Sequence, residues 1–460
     1  MTWIKLQGVN RDQEKSFFLP GVVVRDMPEK VKIRFGMRET IVSPSFLPGF
    51  VKSQNNSFHN PLPVSCSRSV IDDLLIQDGL TYQMLLSGDT ISIGPVIGFL
   101  LGEQHYCYHD SHLKELTDAL QVYERVGGLF CAFRYFSIDW STNYVYGLFF
   151  DWTGKAWKYG KLPLPSVVFR RGFHKNGEEF KRLTEQAGVK LFNSSRLDKW
   201  KMHTKLKSNQ NFYRHLPDTA RLTSPQILLS YLKKYCQVIL KPVDLSRGRG
   251  VCVINEAGDE SIELSGCNYY DINSQKSTRI SKQSIKSFLQ RYKLLERNYI
   301  VQPYLKLARI NGCPFDIRIV MQKNAREKWV CTGIECRLAG PGQYLTNISL
   351  GGRALPIALA AELAFGPSIS PVLFKKEVIS IGSQFCGLME EPGEHYAEFG
   401  IDLAVDTSRR FWFLEANVRP SFKGFQVMDY ENYLHICATP IFYAVTAAGF
   451  GKNKASRRLE

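Results

Sequence analysis

The segment Val238-Ile-Leu-Lys-Pro-Val-Asp-Leu-Ser-Arg-Gly-Arg-Gly-Val-Cys-Val253 decides how the rest of the chain is interpreted. Its pattern predicts a buried strand that ends in a lysine, then a glycine-bearing loop and a second strand. Gly248 and Gly250 allow successive backbone N–H groups to turn toward an anion, and Lys241 adds a point charge. The P-loop motif GxxxxGK[ST] is absent, and a strand rather than a helix follows. A glycine-containing hairpin with an incidental lysine is the alternative at this point.

Oxygen-bearing side chains cluster in the stretch Phe-Trp-Phe-Leu-Glu-Ala-Asn, which ends at Asn417. Residues two apart in a strand face the same side, so Glu415 and Asn417 would present their oxygens together. A hairpin that turns about residues 408–409 would bring Asp402 opposite residues 413–415. Hard oxygen donors of this kind suit Mg²⁺ or Mn²⁺. Acids on the surface of an edge hairpin are the alternative, although the apolar neighbours would make unpartnered burial costly.

Charged residues also interrupt the apolar stretch Phe315-Asp-Ile-Arg-Ile-Val320. Asp316 and Arg318 share one face of this predicted strand, and a buried arginine needs an anionic partner. That partner is either Asp316, in a structural salt bridge, or an anionic ligand. Further along the chain, Arg337 and Asn347 offer another cation and a side-chain amide.

The positive charge of the chain is concentrated in one region. The 460 residues carry a formal net charge of +16, and residues 152–250 hold 21 Lys and Arg against 6 Asp and Glu. Such a block indicates a surface for nucleic acid, an anionic surface or a polyphosphate ligand such as ATP, and a solvated basic face is the alternative. Because zinc-finger, RNP-type and GXXG motifs are absent from the sequence, we do not expect nucleic acid as a partner.

The composition favours a folded protein of the cytoplasm. Hydrophobic residues make up 44% and charged residues 22% of the chain, which excludes wholesale disorder. The longest apolar stretches are interrupted, so we expect no membrane-spanning helix, and no apolar leader is visible at the N-terminus. Eleven cysteines without a CxxC pair fit neither a disulfide framework nor a zinc site and favour a reducing compartment.

The order of predicted elements divides the chain into three parts and a tail. Residues 1–89 are predicted to form a small β-rich domain that includes a proline-containing loop at residues 43–67. Residues 90–195 alternate strand and helix, which is typical of an open and partly parallel sheet. Residues 196–450 carry all the motifs described above, and residues 451–460 are predicted to form a flexible basic tail.

These motifs occur in an order that resembles the ATP-grasp superfamily over roughly residues 193–424. The order is a lysine, a glycine loop, Gln302-Pro-Tyr-Leu305, Asp-Ile-Arg318, an asparagine before a glycine pair, and Asp402 with Glu415-Ala-Asn417. Other stretches are similar to YheC/YheD-type endospore coat-associated proteins: Ile93-Gly-Pro-Val-Ile-Gly98, Leu191-Phe-Asn193, Asp198-Lys-Trp200, Leu216-Pro-Asp-Thr219, Tyr299-Ile-Val-Gln302 and Thr346-Asn-Ile-Ser-Leu-Gly-Gly352.

The resemblance implies an α+β / α/β fold in which two α+β lobes form an ATP-grasp domain. The N-lobe would span about residues 196–298 and the C-lobe about residues 299–450. A Rossmann-like pre-ATP-grasp domain at residues 90–195 and the β-rich N-terminal domain at residues 1–89 would precede the two lobes.

In this superfamily ATP lies between the two lobes, and the resemblance implies a role for each matching position. Lys199 and Lys241 would contact the phosphates, and Gln302, Tyr304 and Leu305 would line the adenine. The other implied residues form three groups: Ser246, Gly248 and Gly250 in the loop over the phosphates, Arg318, Arg337 and Asn347 at the transferring group, and Asp402, Glu415 and Asn417 as ligands of Mg²⁺ or Mn²⁺.

The implied activity is that of an ATP- and Mg-dependent carboxylate–amine ligase that forms ADP through an acyl phosphate. Its partners would be ATP, a carboxylate and an amine, and the basic block suggests an acidic peptide or polymer as acceptor. The resemblance also implies association with spore coat proteins in a sporulating bacterium. Two alternatives are a non-catalytic ATP-grasp scaffold or coat protein, and a nucleic-acid-binding protein that uses residues 152–250.

Overall fold

The computed structural model describes residues 1–10, 15–20, 28–47, 56–104, 108–172, 180–245, 249–258, 260–265, 277–340, 346, 351–390 and 393–451. Four sheets follow one another along this part of the chain, and each has its own strand order. Within the described residues, no helix combines the length and the apolar character needed to cross a membrane.

The N-terminal part of the chain forms a closed barrel with the strand order β1-β5-β2-β4-β3-β7-β6. Ile4, Ile33, Val64 and Tyr82, from four of these strands, are fully buried. Its elements are β1 (Thr2–Val9), β2 (Ser16–Pro20), β3 (Val31–Phe35), β4 (Arg38–Leu47), β5 (Leu62–Ser67), α1 (Arg68–Leu74), β6 (Thr81–Ser87) and β7 (Thr90–Gly94).

Two strands of the barrel lie where the sequence predicts otherwise. β5 falls within residues 43–67, which are predicted as a loop, and pairs in parallel with β1. Pro63 has no N–H to donate, but the neighbouring residues maintain the pairing from Leu62 to Ser67. β7 pairs with β3 and β6, so the barrel extends to Gly94 and does not end at residue 89.

The second sheet is open and partly parallel, as the alternation of strand and helix predicts. Its order is β11-β10-β9-β8-β12-β13, and β8 runs parallel to both β9 and β12. Its elements are β8 (Val96–Leu100), α2 (Asp110–Ala119), α3 (Tyr123–Val126), β9 (Leu129–Asp139), β10 (Tyr144–Asp151), β11 (Ala156–Pro163), β12 (Val167–Arg170) and β13 (Lys190–Phe192).

The third sheet is antiparallel and has the order β14-β19-β15-β16-β17-β18. Two helices precede it, α4 (Lys199–Lys207) and α5 (Gln210–Tyr213). The sheet and the helices against it comprise β14 (Ala220–Arg221), α6 (Pro225–Tyr235), β15 (Gln237–Pro242), β16 (Cys252–Glu256), β17 (Ser261–Ser265), β18 (Ser277–Ser281), α7 (Ile285–Arg291) and β19 (Tyr299–Pro303). β19 pairs with β15 through Tyr299 to Pro303, so this sheet extends beyond the predicted N-lobe boundary at residue 298.

The fourth sheet is antiparallel, with the order β23-β22-β21-β24-β25, and β20 pairs with β21. One face packs on α8 and α9 in a core that includes Ile319, Phe385 and Leu403. The elements are β20 (Arg309–Ile310), β21 (Cys313–Lys323), β22 (Trp329–Leu338), β23 (Arg353–Leu355), α8 (Ile357–Phe365), α9 (Pro371–Met389), β24 (Glu398–Val405), β25 (Phe411–Asn417), α10 (Lys423–Met428) and α11 (Tyr430–Ala447).

Helix α4 connects the third and fourth sheets. Met202 and Leu206 belong to the hydrophobic core of the fourth sheet. The N–H of Lys199, the first residue of α4, donates to the carbonyl of Val243, just after β15, at 3.2 Å. The first turn of the helix therefore contacts the chain just after β15, while Met202 and Leu206 pack against the fourth sheet.

A buried ion pair joins the second sheet to the fourth. Arg171, which follows β12, donates to Glu398 at the start of β24 at 3.1 Å, and both side chains are at most 5% exposed. Arg171 also contacts Glu115 on α2. The second sheet is thus held against the fourth sheet through charged groups from three different elements.

Candidate functional site

Two lysines from different elements meet a carboxylate between the third and fourth sheets. Val238 and Leu240 of β15 lie in the core of the third sheet, so the alternating Lys241 faces the opposite side. Lys199 lies in the first turn of α4, whose N-cap Asp198 accepts a hydrogen bond from the N–H of Lys201 at 2.7 Å. The Nζ of Lys199 is 3.3 Å from Oε2 of Glu415 and also donates to the carbonyl of Leu245.

Lys241 interacts electrostatically with the two other charges of this cluster. Burial lowers this pKa from 10.5 to about 8, the carboxylate of Glu415 opposes the shift, and the Lys199 ammonium adds to it. An ammonium with a pKa near neutrality is stabilised strongly by an added anion. The sequence predicts this convergence of Lys199, Lys241 and Glu415, and the structure brings the three residues together.

A small cavity opens beside this cluster. Its volume is about 100 Å³. The lining combines the first turn of α4, the chain after β15 and the end of β25: Arg196, Leu197, Asp198, Lys199, Met202, Val243, Asp244, Leu245, Glu415, Ala416 and Asn417. The cations Arg196 and Lys199 therefore share one space with the oxygen donors Glu415 and Asn417, and Asp198 and Asp244 also line it. Cations and oxygen donors at one place suit a metal-bound polyphosphate.

One row of the fourth sheet carries charged residues on four neighbouring strands. The cross-strand register places Glu335 opposite Arg318, Arg318 opposite Asp402, and Asp402 opposite Glu415. The sequence predicts that Asp402 lies opposite residues 413–415, and the hairpin register agrees. These side chains lie on the face opposite the core that contains Ile319 and Leu403.

The arginines of this face pair across strands. Arg318 binds Asp402 in a bidentate manner, with Nε–Oδ1 and Nη2–Oδ2 distances of 2.8 Å each. Arg337 binds Asp316 in the same way at 2.6 and 2.5 Å, and its Nη2 also lies 3.0 Å from Oδ2 of Asp402. Of the two sequence alternatives for Arg318, the ion pair is what the structure contains, but its partner is Asp402 rather than Asp316.

This pairing changes the part that Asp402 plays in the predicted metal site. Burial opposes ionisation of the Asp402 carboxyl, but the guanidinium groups of Arg318 and Arg337 outweigh it and lower the pKa. Both carboxylate oxygens of Asp402 are already hydrogen-bonded to arginines. In this arrangement Asp402 does not offer a free oxygen to a metal ion.

Glu415 and Asn417 fit a divalent cation better. The amide Nδ2 of Asn417 donates to Oε1 of Glu415 at 3.2 Å, so the two side chains are adjacent, and both line the cavity. Mg²⁺ takes one or two carboxylate ligands and completes its shell with water and phosphate oxygens. Over the described ranges, no set of three or more His, Cys, Asp or Glu side chains is placed to hold a metal ion. The donor set thus suits a cation that arrives with a phosphate ligand.

Glu335 is a residue of this face that the sequence reasoning missed. Its side chain is 1% exposed, and its Oε2 atom has no hydrogen-bond partner among the described residues. Burial raises its pKa from 4.5 to about 7, although Arg318 and Arg337 act in the opposite direction. The available signal was its position two residues before Arg337 in an otherwise apolar strand, which places both residues on one face.

The segment predicted to contact adenine connects the third sheet to the fourth. The N–H of Tyr304 donates to the carbonyl of Gln237 at 2.9 Å. The side chain of Gln302 donates to the hydroxyl of Thr219 at 2.9 Å, so its amide is held by the protein. Leu305 follows directly and is partly buried.

The predicted phosphate loop is described only in part. Gly250 has a φ of +71°, which favours glycine, and its carbonyl accepts a hydrogen bond from the hydroxyl of Tyr299 at 2.9 Å. Ser246 and Gly248 lie outside the described residues, as does Asn347, which is predicted to act at the transferring group.

Comparison with known proteins identifies relatives of the chain. A family model described as YheC/D like ATP-grasp matches residues 188–446. The chain is 24% identical to the endospore coat-associated protein YheD of Bacillus subtilis (strain 168) over 447 residues, which cover 94% of this chain and 92% of that protein. It is also 24% identical to YheC of the same organism over 355 residues, which cover 75% of this chain and 94% of that protein.

Solved structures with a similar chain course include the D-Ala:D-Ser ligase VanG from Enterococcus faecalis. The TM-score is 0.44, the sequence identity is 11%, and the match covers 76% of this chain and 98% of that chain.

The family match covers more than half of the chain and includes the third and fourth sheets with the whole cluster between them. The fold is an α+β ATP-grasp fold, as the sequence predicts. The chain belongs to the YheC/D-like ATP-grasp family.

Proposed function

We propose that this protein is an ATP- and Mg-dependent carboxylate–amine ligase that forms ADP through an acyl phosphate. The observation that carries the proposal is the ion pair of Lys199 with Glu415 at the wall of one cavity, together with the electrostatic interaction of Lys241 with both residues. A site that joins two ammonium groups to oxygen donors suits the triphosphate of a nucleotide with its metal ion.

The lysines and the arginines have different parts in the proposed reaction. Lys199 and Lys241 hold the phosphates in place, and Gln302 to Leu305 border the adenine. Arg318 and Arg337, on the neighbouring strands, stabilise negative charge on the phosphoryl group as it passes to the carboxylate substrate. The amine then attacks the acyl phosphate, an amide bond forms, and phosphate leaves. No nucleophile from the protein is needed, because such transfers depend mainly on positioning and charge stabilisation.

Mg²⁺ is the metal that this proposal requires, and it would neutralise charge on the phosphates. Glu415 and Asn417 would hold it through oxygen atoms at the wall of the cavity. Asp402 can join them only after its hydrogen bonds to the arginines rearrange. Mn²⁺ has similar ligand preferences and would be accepted at the same position.

The proposal extends to the cellular location of the protein and to the substrate that accepts the phosphoryl group. The names of YheD and YheC support association with the endospore coat. We extend the proposal to synthesis and action in the cytoplasm of a sporulating bacterium. The basic residues around α4, which include the exposed Lys201, suit an acidic peptide or polymer as the acceptor.

Thermal stability in the presence of nucleotide tests the binding part of the proposal. Mg-ATP at about 100 times its dissociation constant should stabilise the folded protein by roughly 2.7 kcal/mol. Glu415→Ala should remove this stabilisation, whereas Glu362→Ala, on the exposed surface of α8, should retain it. An equal shift in wild type and Glu415→Ala, or no shift in the wild type, would reject the metal-nucleotide site.

Hydroxylamine tests the chemistry without knowledge of the natural amine. It attacks an acyl phosphate to give a hydroxamate, so ADP and hydroxamate should appear together when the protein turns over a carboxylate from a broad panel. If Mg-ATP binds but ADP is not released with any carboxylate, the protein is the non-catalytic coat scaffold instead. The pairing of both Asp402 oxygens with arginines is the observation that favours this second candidate.

A further inference from the structure

Arg318 stands between two carboxylates and uses only one of them. In the register of the fourth sheet it lies opposite Asp402 on one side and opposite Glu335 on the other. Both of its hydrogen bonds in the described structure go to Asp402, at 2.8 Å each. Glu335 lies 1% exposed with an unpartnered Oε2 among the described residues.

Glu335 and Asp402 stand directly opposite Arg318 on the two strands that neighbour its own. Directly opposite residues on neighbouring antiparallel strands have Cβ atoms about 4.5–5.5 Å apart. A long arginine side chain can therefore reach either neighbour by rotation about its side-chain bonds. A buried carboxylate oxygen without a hydrogen bond is unfavourable, and Arg318 is the neighbouring donor that could supply one in a second arrangement.

The proposed metal site supplies a reason for such an arrangement. Asp402 stands opposite Glu415 and could join the metal-binding oxygens, but three arginine contacts occupy its carboxylate. Arg337 can give up its contact with Asp402 because it keeps both hydrogen bonds to Asp316. Arg318 has no other partner in the described structure, and a buried guanidinium without a partner is strongly unfavourable.

We infer that Glu335 is a positioning residue that receives the guanidinium group of Arg318 when Asp402 turns to the Mg²⁺ of the bound nucleotide. The inference rests on the proposed function and adds a residue that has no part in it so far. The guanidinium group of Arg318 thereby turns from β24 toward β22, away from Glu415. It stays charged, it keeps an anionic partner, and it remains on the same face of the sheet as Arg337. Metal binding by Asp402 and the placement of Arg318 become parts of one rearrangement.

Loss of the Glu335 carboxylate should weaken the binding of nucleotide only when the metal is present. Without Glu335, the release of Asp402 would leave the guanidinium group of Arg318 without a partner. The complex of the protein with nucleotide and metal should therefore lose stability. Nucleotide bound without metal leaves the Arg318–Asp402 pair intact, and its affinity should not change. A residue that merely supports the fold would affect both affinities alike.

Isothermal titration with the ATP analogue AMPPNP, once with Mg²⁺ and once with EDTA, separates these cases. The variants are Glu335→Gln, which keeps the shape and removes the charge, and Glu335→Asp, which keeps the charge. Glu362→Gln on exposed α8 is the matched control. For Glu335→Gln we expect the Mg²⁺-dependent gain in affinity to fall about tenfold or more, with the metal-free affinity within about twofold of wild type. Glu335→Asp should recover part of the gain, and the control should keep all of it.

Each outcome decides between the possibilities. An unchanged Mg²⁺-dependent gain in Glu335→Gln overturns the inference and leaves the proposed function standing. Parallel loss of both affinities shows a structural role and also overturns it. If the wild type binds AMPPNP no better with Mg²⁺ than with EDTA, the metal site itself is wrong and the inference fails with it.

A measurement on the wild type covers the case in which the variants do not fold. The ¹⁵Nε resonance of Arg318, assigned with Arg318→Lys, reports the partner of its guanidinium group. Addition of Mg²⁺ with AMPPNP should shift this resonance, and AMPPNP with EDTA should leave it in place. Equal spectra under the two conditions would overturn the inference.

Discussion

The depressed pKa of Lys241 makes nucleotide affinity depend on pH in a predictable way. In the free protein this pKa is about 8, lowered from 10.5 chiefly by burial. A bound phosphate stabilises the charged ammonium and raises the pKa again, so binding takes up a proton above pH 8. We therefore expect the dissociation constant of AMPPNP to rise by about fivefold between pH 8 and 9, and the slope to approach about tenfold per pH unit beyond.

The same shift has the opposite effect on the stability of the nucleotide-free protein. Because the folded pKa of Lys241 lies below the unfolded value of 10.5, the unfolded state binds more protons between about pH 8 and 10.5. The free energy of unfolding should therefore rise with pH across this window from this group. Affinity and stability that change in opposite directions would point to one buried ammonium at the phosphate site.

Titration calorimetry of AMPPNP with Mg²⁺ from pH 7 to pH 9.5 measures the affinity term. Lys241→Arg keeps a positive charge throughout this range, so its affinity should be nearly independent of pH. Lys233→Arg, at an exposed position on α6, should retain the wild-type slope. A flat wild-type profile, or the same slope in Lys241→Arg, would show that Lys241 does not contact the phosphates.

Three further substitutions test the supports of the site. Asp402→Asn leaves the buried guanidinium group of Arg318 without an anionic hydrogen-bond partner and should lower the free energy of unfolding by about 3–5 kcal/mol in chemical denaturation, whereas Glu39→Gln, in exposed ion pairs, should cost less than about 1 kcal/mol. Comparable losses would contradict the burial argument. Asp198→Ala removes the N-cap of α4 and should cost about 1 kcal/mol and weaken AMPPNP binding, while Asp429→Ala, the N-cap of α11, should affect stability alone. Arg171→Met breaks the buried ion pair with Glu398, which holds the second sheet against the fourth, and should raise the rate of limited proteolysis. An unchanged rate would argue that this ion pair does not hold the two sheets together.

The sequence predicts the register of Asp402, Glu415 and Asn417 well because the geometry of a β-hairpin limits which residues can face one another. Glu415 and Asn417 are two apart and share a face, and a short turn limits which residues can oppose Asp402. The observed pairing of Asp402 with Glu415 follows from these constraints and includes a bulge after Asp402. The convergence of Lys199 and Lys241 was predicted only through the family resemblance, because these residues come from different elements.

The ion-pair partners of Arg318 and Arg337 could not be predicted from the sequence. Asp316 and Arg318 share a face of one strand, but residues two apart on one strand are farther from each other than directly opposite residues on neighbouring strands. Arg318 therefore pairs with Asp402 across the sheet, and Arg337 pairs with Asp316. These partners are distant in sequence, so only the strand order of the sheet could reveal them.

Local sequence pattern does not reveal every strand of the N-terminal barrel, for a related reason. The prolines near β5 indicate a loop in isolation, yet parallel pairing with β1 supplies the missing context. Likewise, β7 and β19 pair with strands on the other side of the predicted domain boundaries. Local sequence pattern indicates that a strand is present but not the sheet to which it belongs.

A structure of the protein with Mg²⁺ and AMPPNP tests the central claim most directly. We expect the terminal phosphate to lie within hydrogen-bonding distance of Lys199 and Lys241, with the metal bound to Glu415 and Asn417. A nucleotide bound elsewhere, or a metal that ignores Glu415 while Lys241 remains without a phosphate contact, would contradict it.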